Sequence, residues 1–369
     1  MRVTRVQLRD FRNYEDADVA LAEGLTVVVG PNGAGKTNLL EGIYFACTAH
    51  SPRTSNEREL VRRGAQVARV ELEVSADDAA HRIEVGFRPG EPKRVRVDGS
   101  AVGGAPLAGS ARPLVNVFLP ERLELVKGAP AARRGHLDQL VAAIWPSRAE
   151  TRSAYSRSLA QRNSLLGRIR AGLVGPGALD PWDLELSRHG IQMMVDRAEA
   201  VEGLRAPFAE LAERLGLAGG AELRYRPRSA SSSADGLAAE LRERREADLE
   251  RGFTAHGPHR DDLQLLLDGT SLRAYGSQGQ QRAALLALLF AERELLAARR
   301  SHPPLMLLDD VMSELDGERR ELLASLLRSG GQAVITATEA EHVPGAGAGS
   351  DGIVEVQAGR ARSRVGVGA

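Results

Sequence analysis

Apolar residues change their spacing several times along this chain, and each change predicts a change of structure. The opening stretch MRVTRVQLRD alternates in the strand manner, with Val3, Val6 and Leu8 as its apolar positions. FRNY, Phe11 to Tyr14, follows, and 17–21 reads as a second strand. Residues 25–29, LTVVV, form a short run rich in β-branched residues, as in a strand buried on both faces of a parallel sheet. Leu39, Leu40, Ile43, Tyr44 and Cys47 then recur at helical spacing. After a basic loop carrying Arg53, Arg58, Arg62 and Arg63, alternation returns over 67–74, 80–87 and 93–97. Asp98-Gly99 marks a hairpin turn, and 114–119 reads as another buried strand.

From Glu121 to about Leu217 the pattern is helical. Tyr155, Leu159, Leu166, Ile169 and Leu173 form one stripe, and Met194, Ala198, Val201, Phe208, Leu211 and Leu215 a second. The turn-rich segment 175–181 between them predicts an antiparallel helical hairpin. Pro207 should kink or interrupt its second arm. A strand is expected over 219–226, a polar mobile loop over 228–236 and a charged helix over 238–249. Sheet character then resumes, with strands over 263–267, 303–308, 333–337 and 353–356 and helices from Tyr275 to Leu296 and over 318–327. The layout is α/β: a head formed by both chain ends, 1–126 and 252–369, with an antiparallel meander and a helical hairpin inserted over 127–251.

Composition adds little to this picture, with one exception. At 369 residues and 43% hydrophobic the chain can bury a large core, and its net charge of zero argues neither for nor against nucleic acid. The single cysteine, Cys47, excludes an internal disulfide. No apolar run reaches transmembrane length and the N-terminus has strand rather than leader character, so a cytoplasmic location is expected. The exception is lysine: Lys36, Lys93 and Lys127 are the only ones among 49 basic residues. Lys36 falls where a compact ammonium fits and a guanidinium fork does not.

That place is the glycine-rich turn Gly30-Pro31-Asn32-Gly33-Ala34-Gly35-Lys36-Thr37, set between strand and helix as a phosphate-binding P-loop requires. Gly30, Gly33 and Gly35 let successive backbone N–H groups face an anion, with Pro31, Asn32 and Ala34 completing the cradle. Lys36 would meet the β- and γ-phosphates of ATP, and Thr37 would offer its hydroxyl to Mg²⁺. Asp309, at the end of a buried strand, is a second Mg²⁺ candidate, and Asp310 beside it a general base. Ser277, Gly279, Gln280 and Gln281, at a helix start, could make another anion site.

Together these motifs resemble the ABC-type ATPases: P-loop, serine-glycine-glutamine signature, acidic strand end, then a loop ending in Asp316. More narrowly, the chain resembles the RecF family of bacterial recombination-mediator ATPases, relatives of the heads of structural-maintenance-of-chromosomes proteins. FRNY, GPNGAGKTNLLE (30–41), the PE…LVKGAPAARR…LD run (120–138), GPHRDDL (257–263), SQGQQR (277–282) and LLDDVMSELD (307–316) carry the likeness. The resemblance implies an ABC-type head whose two copies sandwich ATP, so that Ser277 and Gly279 meet the γ-phosphate held by the partner's Lys36, with Gln280 nearby. It implies that Arg12 reaches nucleotide phosphate and that Glu121 stands in for a missing glutamine at the metal. Asp310 replaces the superfamily's usual glutamate, which implies slow hydrolysis, and Thr336 and Thr338 occupy the place of a histidine sensor.

The partners it implies are gapped DNA at single-strand/double-strand junctions, RecR and, indirectly, RecA and single-strand-binding protein. Arg53, Arg62, Arg63, Arg133, Arg134, Arg148, Arg152, Arg157 and Arg162 are the candidate DNA contacts. The competing readings are the ATP-binding subunit of a membrane transporter, a P-loop kinase and a structural head that does not hydrolyse ATP.

Overall fold

The computed structural model describes residues 1–76, 79–102, 112–300 and 302–365. In chain order its elements begin with β1 (Arg2–Phe11), β2 (Tyr14–Ala20), β3 (Leu25–Val29), α1 (Lys36–Thr48), β4 (Ala68–Ala76) and β5 (Ala79–Phe87). Next come β6 (Arg94–Val97), β7 (Ser100–Ala101), β8 (Val115–Phe118), α2 (Glu124–Lys127), α3 (Pro130–Ile144), α4 (Ala149–Arg170) and α5 (Asp180–Arg214). The middle holds β9 (Ala221–Arg226), α6 (Ala234–Glu243), α7 (Arg245–Arg251), β10 (Asp262–Leu267), β11 (Thr270–Ser271), α8 (Leu272–Tyr275) and α9 (Gln278–Arg299). The chain closes with β12 (Leu305–Leu308), α10 (Gly317–Ser329), β13 (Ala333–Ala337), β14 (Gly352–Gln357) and β15 (Arg360–Val365).

Contacts divide the chain into two units, 1–123 with 289–369, and 124–288. The second boundary therefore falls inside α9, at 288/289, and not at 251/252 as expected. The reason is strand pairing: β10 runs antiparallel to β9, so 262–267 joins the sheet of the inserted unit.

The first unit is a head of two six-stranded sheets. One is the expected meander, ordered β2-β1-β4-β5-β6-β7. The other is ordered β15-β14-β3-β13-β12-β8, with parallel pairing from β14 through β8. Helix α1 touches strands of both sheets. This explains why it buries Leu39, Leu40, Ile43, Tyr44, Phe45 and Cys47 around most of its circumference. Burial pushes the Cys47 thiol up to about 12, leaving it an unreactive core group. The buried Gln332 ties the sheets together: its amide donates to Val3 O and Ala22 O, and its oxygen accepts from Val3 N. Strand β15 was not foreseen; it pairs antiparallel with β14 across the turn Ala358-Gly359.

The second unit contains the hairpin. Arg148, at the start of α4, bonds Asp196 on α5, while Arg162 further along α4 bonds Asp183 near the start of α5, so the two helices run antiparallel. The apolar stripes were misregistered. Leu173 is 71% exposed and Ala198 faces out, whereas Arg162, Asp183, Asp196 and Arg197 are buried. Helix α5 runs through Pro207 without interruption for 35 residues, held by buried Leu204, Phe208 and Leu211 on either side. The serine-rich segment 228–236 is not a mobile loop. The Ser229 hydroxyl donates to Glu240, and Ser233 caps α6 by accepting from Gly236 N. The charged helix expected at 238–249 is two helices, α6 and α7.

Candidate nucleotide site

The P-loop is moulded by two segments distant in sequence. Gly30 needs to be glycine because a Cβ there would lie 2.1 Å from Val356 O on β14, and its φ is +153°. Gly35, at φ +122°, would press a Cβ against the Asn13 amide at 2.6 Å. That closeness gives FRNY a physical role. The Asn13 amide donates to Ala34 O at 2.9 Å, and the Tyr14 hydroxyl donates to Gly35 O at 2.9 Å. Gly359 N, in the β14–β15 turn, donates to the same Ala34 O at 3.0 Å. The loop's shape is thereby fixed by neighbours. Pro31, Asn32 and Gly33 remain exposed at its mouth.

The Lys36 ammonium lies inside the loop, donating to Gly30 O at 2.6 Å and Pro31 O at 3.2 Å. Burial pulls its pKa down, and Asp310 and Asp309 oppose that. The Thr37 hydroxyl donates to the Asp309 carboxylate, 2.8 Å from its nearer oxygen. Thr336, at the end of β13, donates to the other oxygen at 2.7 Å and accepts from Asp310 N at 2.9 Å. Burial pushes the Asp309 carboxyl up, while these hydroxyls and Arg53 hold it down. A hydroxyl and a carboxylate in contact, beside a phosphate cradle, are the donor set Mg²⁺ accepts at a nucleoside triphosphate. Asp310 is exposed and held at φ +46°, in the left-handed region, so its side chain leaves the strand direction that Asp309 follows.

Other expected residues lie differently. Arg12 makes a two-pronged bond to Glu41, at 2.7 and 2.8 Å, and would have to leave Glu41 to reach a phosphate. Glu121 pairs with Arg53 at 3.4 Å, and Arg53 also bonds Asn38 and Glu41. Thr338 bonds His342 at 2.9 Å, a histidine that the strand pattern did not single out.

The signature belongs to the second unit, where Ser277 and Gln280 form a reciprocal cap at the start of α9. Ser277 N donates to Gln280 Oε1 at 2.9 Å, and Gln280 N donates to Ser277 Oγ at 3.2 Å. Ser277 and Gly279 are exposed; Gln281 is buried and donates to Leu272 O. Asp316 caps α10 by accepting from Arg319 N at 2.9 Å. Among the DNA candidates, Arg133 and Arg162 are corrected outright. Both are buried in ion pairs, with Asp262 and with Asp183 and Asp248, and no polymer can reach them.

A two-sheet α/β head with a braced P-loop and an acid at the tip of β12, separated from β3 by β13, defines an ABC-type head fold with a long helical insertion. Residues 5–127 match a family model described as an AAA domain. The DNA replication and repair protein RecF of Streptomyces avermitilis is 39% identical over 376 residues, covering 96% of this chain and 100% of the relative. That of Roseiflexus castenholzii is 38% identical over 372 residues, covering 92% and 93%. The chain belongs to the RecF family of DNA replication and repair proteins. A solved structure of the recombination mediator RecF with ATP superposes with a TM-score of 0.87 at 28% identity, covering 98% of this chain and 97% of that one. An SMC head bound to the C-terminal winged-helix domain of ScpA shares the fold, with a TM-score of 0.59 at 16% identity and coverage of 98% and 97%.

Proposed function

We propose that this chain is an ATP-dependent recombination mediator that binds gapped DNA, dimerises around ATP and hydrolyses it slowly. The observation that carries this is the contact of Thr37 and Thr336 with Asp309, 2.7–3.0 Å, beside the buried Lys36. Backbone N–H groups within 30–37, Pro31 having none, bind the phosphates, and Lys36 exchanges its carbonyl partners for the β/γ oxygens. Thr37 and Asp309 would hold Mg²⁺, which would neutralise charge on those phosphates. Asp310 orients and deprotonates the attacking water. Ser277 and Gly279 of a second copy close over the γ-phosphate, so ATP joins the dimer and its loss loosens it. Arg12 is released from Glu41 as nucleotide enters. RecR, and through it RecA and single-strand-binding protein, follow from the family.

Lys36→Met should abolish ATP-driven dimerisation in sedimentation and retention on gapped DNA. Unchanged behaviour in both would refute the reading. A steady-state ATPase assay, with and without gapped DNA, separates slow turnover from a head that only binds ATP.

A further inference from the structure

A run of arginines crosses the outer face of the meander, and the nucleotide chemistry does not use it. In register, Arg9 stands opposite Arg69, Arg69 opposite Gly86, and Gly86 opposite Arg94. Elsewhere on this face opposite charges pair: Arg5 with Asp18 at 2.5 Å, and Arg82 with both Glu71 and Glu84. Like charges set directly across a ladder weaken a sheet. Glu71 and Glu84 also stand directly opposite each other, but Arg82 spans both, whereas the Arg9–Arg69 pair has, among the described residues, only Asp16, 3.8 Å from Arg9.

Gly86 contributes no side chain there, and a cavity of about 490 Å³ opens among Arg9, Arg69, Arg94 and Arg96. Of the carboxylates that also line it, Glu71 and Glu84 are held by Arg82, and Asp16 by Arg9 at 3.8 Å. Beyond the end of β5 a second cavity of about 460 Å³ is lined by Arg58, Arg62, Arg63 and Arg88 and by no acid. Glu91 links the two, accepting from Arg88 at 3.1 Å and Arg94 at 3.3 Å. Arg58, Arg63, Arg69 and Arg96 are exposed and make no ion pair among the described residues.

A chain of zero net charge has thus gathered unneutralised cation onto one surface. A small anion would fill one cavity and leave the other; a repeating polyanion fills both. We propose that this track binds the phosphate backbone of DNA. The assignment rests on the DNA-binding reading above and names its surface. Such contacts carry no sequence information, so binding there is insensitive to base order.

The test is anisotropy of gapped duplex with the full-length protein and ATP across a salt series, with dimerisation and melting measured alongside. Arg58→Ala/Arg63→Ala/Arg69→Ala should lose at least about tenfold in affinity and flatten the log–log salt slope by about 3, near 0.9 per lost phosphate contact. Glu91→Gln frees Arg88 and Arg94 and should bind about twofold tighter or more, a gain that misfolding does not produce. Variants that bind with wild-type affinity and slope would overturn the track alone. A triple variant that also loses dimerisation, with Glu91→Gln unchanged, would overturn it too. Wild-type protein that ignores DNA would overturn both the track and the function.

Discussion

Phe45 in the head and Arg162 in the second unit are both 0% exposed, yet one is held mainly by apolar packing and the other by ion pairs. Phe45 sits in an apolar cluster with Phe11, Leu39, Ile43, Val70 and Leu72, and a cation, Lys93 Nζ, lies over the ring 5.9 Å from its centroid. Arg162 bonds Asp183 at 2.7 Å, Asp248 at 2.7 Å and the Thr254 hydroxyl at 2.7 Å. A second knot lies nearby in the sequence order: Arg197 bonds Asp138 at 2.8 Å, Asp261 at 3.1 Å and Pro258 O at 2.7 Å, and Tyr225 donates to Asp261. The apolar core is non-directional and absorbs small changes of shape. The ionic core is directional: each guanidinium fixes the carboxylates it pairs with, and removing one side of a pair leaves a buried charge uncompensated. The difference separates what makes a unit stable from what makes its geometry unique, and we take the second unit to be the one built for uniqueness.

The sharpest way to break this contrast is Arg162→Met. It leaves Asp248 buried without a cation and Asp183 with Arg245 alone, and should lower the second unit's stability by about 3–5 kcal/mol. Both tryptophans, Trp145 and Trp182, lie in that unit, so urea unfolding followed by their fluorescence reads it selectively. A loss under about 1 kcal/mol would show that the charges carry no such weight.

In the head, Leu40→Ala should cost roughly 2–5 kcal/mol, set by the cavity left behind. Segment-resolved hydrogen exchange should confine that loss to the head. Equal deprotection of α4 and α5 would mean that the units do not unfold separately.

Acid gives the smallest and most specific effect. His259 is held neutral at a pKa of about 4, chiefly by burial, with Tyr155 OH donating to Nδ1 at 2.7 Å and Nε2–H donating to Thr254 O at 2.9 Å. A depressed folded pKa means stability that is present above pH 6.5 and lost as pH falls toward 4. Burial raises Asp261, which works in the opposite sense at the acid end. The difference between wild type and His259→Asn cancels that contribution. It should show wild type alone losing stability across this window, with a slope of no more than one proton.

The same contrast decides what could be read in advance. The head was legible because its signals are local and apolar: LTVVV made β3 over the expected residues, and GPNGAGKT made the loop. Thr37 and Asp309 were found as motif members, though they meet across 272 residues. What was missed depends on three-dimensional neighbours. Nothing in the spacing of Asn13 and Tyr14 announces that they brace Ala34 and Gly35, and β15 follows its turn with few apolar residues. The hairpin was legible only as helices. Counting apolar positions misplaced its buried face because arginine and aspartate fill part of it, and a buried ion pair has the same letters as a solvated one. Buried Arg162 looked like a DNA contact for the same reason.

Strand β3 pairs on one side with β13 and on the other with β14, both encoded near the far end of the chain. On the ribosome this apolar, β-branched ribbon therefore emerges long before either neighbour exists. An unpaired ribbon of that kind invites association with other nascent chains, so chaperone cover during translation should matter more here than in a head whose strands follow in order. The delay also has a protective side. Val356 and Gly359, which shape the phosphate cradle, arrive last among its parts, so an interrupted translation product would lack the finished cradle and could not sequester ATP in a half-made machine.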